Sequence, residues 1–225
     1  IYEDGNERYV EPGEWFTLDD GSINLGCWVP DLQRPGDKCW ERYGVVVGRF
    51  QFLLCVDHRS YFIPGFGFTC RPRDSYRAED LTATMHNVFA EHGLPKAMVL
   101  EHGVSAANLV TRTLRAAGVD IIRASSPHQK VVEMVFDKLW TRLSLLGGQV
   151  GRTRGEEEEI AKLYQACRTG TRDPRTVFCS LRDVLDALKL HIGEWNAHRV
   201  NSDRYGSWIP AEMFAAHGPS QLRPF

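Results

Sequence analysis

The sequence predicts an α/β protein built on a mixed sheet flanked by helices. Three features carry that prediction: aromatic and β-branched runs between Glu14 and Thr69, short apolar runs alternating with helical patterns after it, and glycine or proline stops between them. The order reads β-β-β-α-β-α-β-α. Sequential strands pair antiparallel and strands joined through helices pair parallel, so the expected sheet has five strands of both kinds.

Glu14 to Val29 reads as the first strand, interrupted by Gly21. Asp31 to Asp37, with Pro30, Pro35 and Gly36, is a turn. Two long β-type runs follow, Tyr43 to Val56 and Tyr61 to Thr69, joined by Asp57-His58-Arg59-Ser60. Pro64, Gly65 and Gly67 mark the last of these strands as irregular or at an edge. Ser75 to His92 is helical, with Leu81, Met85, Val88 and Phe89 on one face, and Gly93 and Pro95 stop it. Ala97 to Leu100 is a short strand ending at Glu101-His102-Gly103. Ala106 to Ala117 is a second helix closed by Gly118, and Val119 to Arg123 another strand. Beyond Ser125-Ser126-Pro127 a helix runs to Leu146 on the stripe Val132, Val135, Phe136, Leu139 and Leu146. Gly147 to Gly155 is a glycine and arginine linker, and Glu156 to Ala166, Ser180 to Ala197 and Pro210 to Ala216 look helical. The expected organisation is an acidic tail over 1–13, a core over 14–146, and a linker with a C-terminal helical extension over 147–225.

At 225 residues and 43% hydrophobic, the chain can bury a proper core. Its 27 basic and 29 acidic side chains argue against binding nucleic acid through bulk positive charge. That total hides an asymmetry: residues 1–50 carry 5 basic and 10 acidic side chains, whereas residues 160–225 carry 9 and 6. No apolar run approaches a membrane span and no signal peptide is recognisable, so no membrane partner is expected. Cys27, Cys39, Cys55, Cys70, Cys167 and Cys179 form no CxxC pair and read as core thiols of a reduced intracellular protein rather than zinc ligands. A start at Ile1 rather than Met reads as a segment of something longer.

The acids that could carry chemistry are Asp19 and Asp20 in the first strand, Glu101 at the end of the fourth, and Glu133 in the first turns of the helix after Pro127. Carboxylates in apolar surroundings are costly unless paired or bound to a cation, and a divalent metal removes their mutual repulsion. Strand alternation points Asp19 and Asp20 to opposite faces. Lys130, Lys138 and Arg142 near or on the Glu133 helix, with Arg152 and Arg154 in the linker, are candidate phosphate contacts.

With these acids in this order, the chain resembles the RNase H-like superfamily of retroviral integrases and DDE transposases. "LLCVDHRSYFIPGF" (Leu53 to Phe66) is similar to the third-strand hairpin of integrases, and "SSPHQKVVEMVFDKL" (Ser125 to Leu139) to the segment leading into the helix with their last catalytic acid. "EHGVSAAN" (Glu101 to Asn108) resembles a stretch of the phage Mu transposase core, and "EWNAHRVNSDRYGSWIPAEMF" (Glu194 to Phe214) the close of many such cores. The resemblance implies a Mu-like catalytic core that nicks DNA 3′ ends and transfers strands. It further implies two Mg²⁺ or Mn²⁺ ions held by Asp19 (or Asp20), Glu101 and Glu133, work within a homo-oligomer assembled on DNA, and a phage-encoded or bacterial cytoplasmic origin. Asp57 follows an apolar strand, but the corresponding hairpin Asp of the family is usually not a ligand. Glu101 stands where the family usually has Asp, and its extra methylene displaces the carboxylate by about 1.5 Å. That departure motivates an alternative, an impaired core kept for DNA binding and assembly. Another nuclease of the same fold is the third reading.

Overall fold

Five strands form the main sheet, in the order β7-β6-β3-β8-β9. They are β3 (Trp15–Ile23), β6 (Phe50–Asp57), β7 (Gly65–Thr69), β8 (Ala97–Leu100) and β9 (Asp120–Arg123). The first three pair antiparallel and the last two add parallel to β3, which is the mixed sheet expected. The computed structural model describes residues 2–3, 6–7, 9–23, 25–47, 50–69, 76–100, 108–123, 131–143, 146, 154–202 and 206–225; for 2, 3, 6, 7, 22, 23, 50 and 154–157 it describes the backbone alone.

Helices cover both faces. On one, α2 (Ala78–His92) and α3 (Asn108–Ala116) pack Leu81, Met85, Val88, Phe89, Val110 and Leu114 against Phe16, Leu18, Leu53, Cys55, Met98 and Leu100 of the sheet. On the other, α4 (Val131–Leu143) and α6 (Leu181–Ala197) pack Val132, Val135, Phe136, Leu139, Val184 and Leu188 against Phe52, Leu54 and Val56. Strand β6 is buried from Phe52 to Asp57 because both layers rest on it.

The C-terminal segment returns to the first face. In α7 (Pro210–His217), Phe214 stacks on Phe62 with ring centroids 4.5 Å apart. Further on, Arg223 donates to the carbonyls of Ala117 and Gly118 and so caps the end of α3. The β11 (Val200–Ser202) and β12 (Gly206–Trp208) hairpin precedes α7, and Trp208 Nε1 donates to Ser60 O at 2.7 Å.

Three expectations need correction. The run Glu14–Val29 is not one strand: β3 passes straight through Gly21 and ends at Ile23, while β4 (Cys27–Val29) belongs to a second sheet. Likewise Tyr43–Val56 divides into β5 (Val45–Val47) and β6, after the short helix α1 (Trp40–Tyr43). The second sheet has the order β10-β4-β5, with β10 (Cys179–Ser180) supplied from far along the chain. Here Val47 joins the α4/α6 core while Val46 packs with Cys167 and Phe178, so one continuous apolar run serves two clusters. Thirdly, the linker is shorter than read: Arg154 and Gly155 already belong to α5 (Arg154–Arg168), whose acidic Glu156–Glu159 run suits a helix N-terminus. A separate hairpin pairs β1 (Tyr2–Glu3) with β2 (Asn6–Glu7). None of the helices, among the described residues, is long and apolar enough to cross a membrane.

Candidate active site

The cleft of interest lies between β3 and α4. Asp19, Asp20 and Gly21 of β3 line one wall, and Glu133, Phe136, Asp137 and Trp140 of α4 line the other. Alternation along β3 explains how the acids are distributed. Phe16 and Leu18 point into the α2/α3 core, which leaves Thr17, Asp19 and Gly21 on the α4 side. Asp19 lies opposite Leu54, a member of the α4/α6 core, and Asp20 opposite Leu53, a member of the α2/α3 core.

Gly21 sets how closely the helix approaches. A β-carbon there would lie 2.8 Å from Trp140 Cζ2 and 2.9 Å from Phe136 Cε1, closer than side chains pack. The two rings, 5.1 Å apart, therefore settle where no side chain stands, and Phe52 braces Trp140 from the neighbouring strand at 5.8 Å. One turn before Phe136, Glu133 is carried to the same cleft as Asp19. It lies in the first turn of α4, where the helix dipole favours negative charge.

Asp20 also lines the cleft, but it is held from the other side of the strand. Gln51 Nε2 donates to its Oδ2 at 3.4 Å, and the Tyr76 hydroxyl is hydrogen-bonded to it. Tyr76 N in turn donates to Gln51 Oε1 at 2.6 Å. Burial first, then the charges of Asp20 and Asp19, push the Tyr76 phenol well above its ordinary range. A neutral phenol donor is thus maintained beside the two aspartates.

Strand register is described up to the residue before the second acid. Leu18 and Leu100 are partners on adjacent parallel strands, and the residues that follow them are Asp19 and Glu101. Glu101 itself lies outside the described residues, as do Lys130 and Arg152; Arg154 opens α5 with only its backbone described. Among the described residues no three His, Cys, Asp or Glu side chains are grouped closely enough to hold a metal ion. Lys138 is exposed on α4, whereas Arg142 is drawn into an ion pair with Glu194 that ties α4 to α6. Hydrogen bonds from His191, and then the Arg142 charge, hold the Glu194 carboxyl below its usual range.

Asp57, the other acid at a strand end, is committed elsewhere. Fully buried, it accepts from Gly13 N at 2.7 Å, Ser60 N at 2.7 Å and Ser60 Oγ at 2.6 Å, and so stitches the β6–β7 turn to the chain before β3. Burial raises its pKa to about 6 against those donors. Next to it, burial lowers the pKa of His58 to about 4, and His58 Nδ1 meets Thr17 Oγ1 at 3.2 Å.

Sequence reasoning missed Asp137 and Trp140. The signal was available: Glu133, Asp137 and Trp140 stand at i, i+4 and i+7 and so share one helix face. The apolar stripe one position away drew the reading to packing instead.

No family model matches the sequence, and the search of curated proteins found no match. Solved structures do match. One is the simian T-cell lymphotropic virus intasome in complex with PP2A regulatory subunit B56 gamma (TM-score 0.56, 11% identity, covering 92% of this chain and 56% of that one). Another is the catalytic core domain of BIV integrase (TM-score 0.50, 14% identity, 91% and 95%). A third is the HTLV-2 integrase catalytic core domain in complex with magnesium (TM-score 0.51, 8% identity, 92% and 99%). At such identities the likeness is one of architecture, and the architecture is that of retroviral integrase catalytic cores: a five-stranded mixed sheet flanked by helices.

Proposed function

We propose that this chain is the catalytic core of a metal-dependent DNA transposase or integrase of the phage Mu-like DDE class. It would nick donor DNA at its 3′ ends and join the freed 3′-hydroxyl to target DNA. The observation that supports this most is that Asp19 and Glu133 share one cleft of an integrase-core fold, while Glu101 follows the strand partner of the residue before Asp19.

Asp19, Glu101 and Glu133 would hold two Mg²⁺ or Mn²⁺ ions, since an all-carboxylate donor set suits hard cations. When bound, such ions activate the attacking oxygen and stabilise the leaving 3′-oxygen of an in-line phosphoryl transfer. The chain's own contribution is positioning. Strand β3 carries Asp19 on the α4 side, and the rings of Phe136 and Trp140 over Gly21 seat the helix that carries Glu133. Gln51 and Tyr76 keep Asp20 engaged on the opposite side, so Asp19 is the first ligand in this reading. Lys138, with Lys130, Arg152 and Arg154, would contact phosphates, and Arg142 would contribute only if released from Glu194. Residues 14–146 would form the core and 147–225 its extension, acting in a homo-oligomer assembled on DNA in a bacterial or phage setting. The magnesium in the HTLV-2 core belongs to that protein and is the precedent for Mg²⁺ here.

Strand transfer of a labelled donor end into plasmid DNA in Mg²⁺ tests the proposal. Asp19→Asn and Glu133→Gln are each expected to lower it by about 100-fold or more. Unchanged activity in either variant removes that residue from the mechanism. A wild-type chain that binds DNA but no millimolar Mn²⁺ would instead establish the impaired core.

A further inference from the structure

Of the chain's six tryptophans, Trp140 is the one that lines the acidic cleft. The N–H groups of Trp28, Trp195 and Trp208 each donate to a backbone carbonyl, of Tyr43, Tyr61 and Ser60. That of Trp140 has no protein acceptor among the described residues, and its ring is half-buried on the wall of the acidic cleft. The ring is nevertheless held in place, by Phe136 and Phe52 at 5.1 and 5.8 Å and by the absence of a side chain at Gly21. A braced aromatic surface open to a cleft is the arrangement on which nucleobases stack.

Charge decides which part of a nucleotide suits this end of the cleft. Trp140 lies seven residues beyond Glu133, about 10 Å along the helix axis. Asp137 stands one turn before Trp140, exposed and in no ion pair among the described residues. A phosphate beside that carboxylate would be repelled, whereas a base offers it an exocyclic amino donor and offers Trp140 a flat face. From these we infer that Trp140 and Asp137 form a base-docking subsite, in which an unpaired nucleobase flanking the reacting phosphodiester stacks on the indole. The subsite rests on the DNA-processing reading above and adds what lies beyond the acids. Because every base has a π-face, the subsite would tolerate any sequence while requiring a base to be present and unpaired.

A duplex with a single-stranded overhang, carrying 2-aminopurine at successive positions, tests this with the full chain in Mg²⁺. Anisotropy of a distant dye reports binding, and 2-aminopurine emission reports stacking. At saturation the wild type should quench the emission strongly at one or two positions. Trp140→Phe, which keeps an aromatic face, should retain the quenching. Trp140→Leu keeps apolar volume over Gly21 without a π-face, and should lose it while binding the overhang about tenfold more weakly. Quenching by Trp140→Leu equal to wild type, or DNA binding by the wild type without quenching at any position, overturns the subsite and leaves the core reading intact. No DNA binding by the wild type even at low salt overturns that reading and the subsite together.

Discussion

Asp57 and His58 are neighbours at the β6–β7 turn whose proton affinities move in opposite directions, to about 6 and about 4, because burial disfavours charge on both. Asp57 is raised, so its contribution to stability is full below its ordinary value near 3.8 and is lost as pH climbs through about 6. His58 is lowered, so its contribution is present above about 6.5 and is lost as pH falls through about 4. Each shift alone corresponds to on the order of 3 kcal/mol, and near pH 5 their pH dependences cancel, since folded and unfolded chains each bind about one proton across the pair. Urea unfolding should therefore give nearly constant stability from pH 4.5 to about 6 from this pair. Asp57→Asn should lose about 1–3 kcal/mol by setting an amide donor against Gly13 N or Ser60 N, and its remaining stability should rise with pH. His58→Gln should show stability falling with pH. A wild-type slope as steep as either variant's contradicts the assignment. At this scale the sequence was informative where alternation applied, as for Asp19 against Asp20. The i+7 spacing of Trp140 from Glu133 was legible but ambiguous, because a tryptophan beside an apolar stripe looks like core until the glycine opposite it is known.

Between elements, glycines set the spacing. Gly21 admits Phe136 and Trp140 of α4, while Gly65 and Gly67 of the edge strand β7 admit Val88 and Thr84 of α2. Both contacts support stability, but only the first lies at the cleft. Gly21→Ala should cost about 1–3 kcal/mol and also weaken Mn²⁺ binding, since displacing α4 moves Glu133. Gly67→Ala should destabilise comparably with Mn²⁺ affinity retained, and calorimetry on the two variants separates the effects. Equal Mn²⁺ affinity in both would mean that the seating of α4 does not govern the site. On the opposite layer, Phe214 is buried against Phe62, Phe16 and His92, so Phe214→Ala should cost about 3–5 kcal/mol in urea titration. A loss below 1 kcal/mol, on the order of a surface change, would show that α7 is dispensable. The helices were legible because amphipathic period and glycine stops are local signals. The division of Tyr43–Val56 was not: an unbroken apolar run gives no mark of where the chain leaves one sheet for another, and β10, the two-residue partner of β4, lies about 150 residues away in sequence.

For the whole molecule, strand order carried the prediction. Antiparallel strands followed by strands separated by helices leave few ways to assemble one sheet, and the observed order β7-β6-β3-β8-β9 is one of them. That topology puts the middle of β3, the end of β8 and the start of α4 within one region, where acids far apart in sequence can meet. The second sheet, in which β4 and β5 from between β3 and β6 join β10 and pack against α5, was invisible because these pairings are long-range. The near-neutral net charge of −2 also takes on a specific meaning. Four acids, Asp19, Asp20, Glu133 and Asp137, line one cleft, where cations rather than lysines would have to offset a bound phosphate. In the proposed function Asp19 and Glu133 act as one cation site, while Asp20 is held by Gln51 and Tyr76. Titration calorimetry of Mn²⁺ into the wild type and three variants tests it most directly. Asp19→Asn and Glu133→Gln should each weaken binding by about tenfold or more, and Asp20→Asn by only a few-fold. Binding that is unchanged in Asp19→Asn, or lost only in Asp20→Asn, would contradict the account.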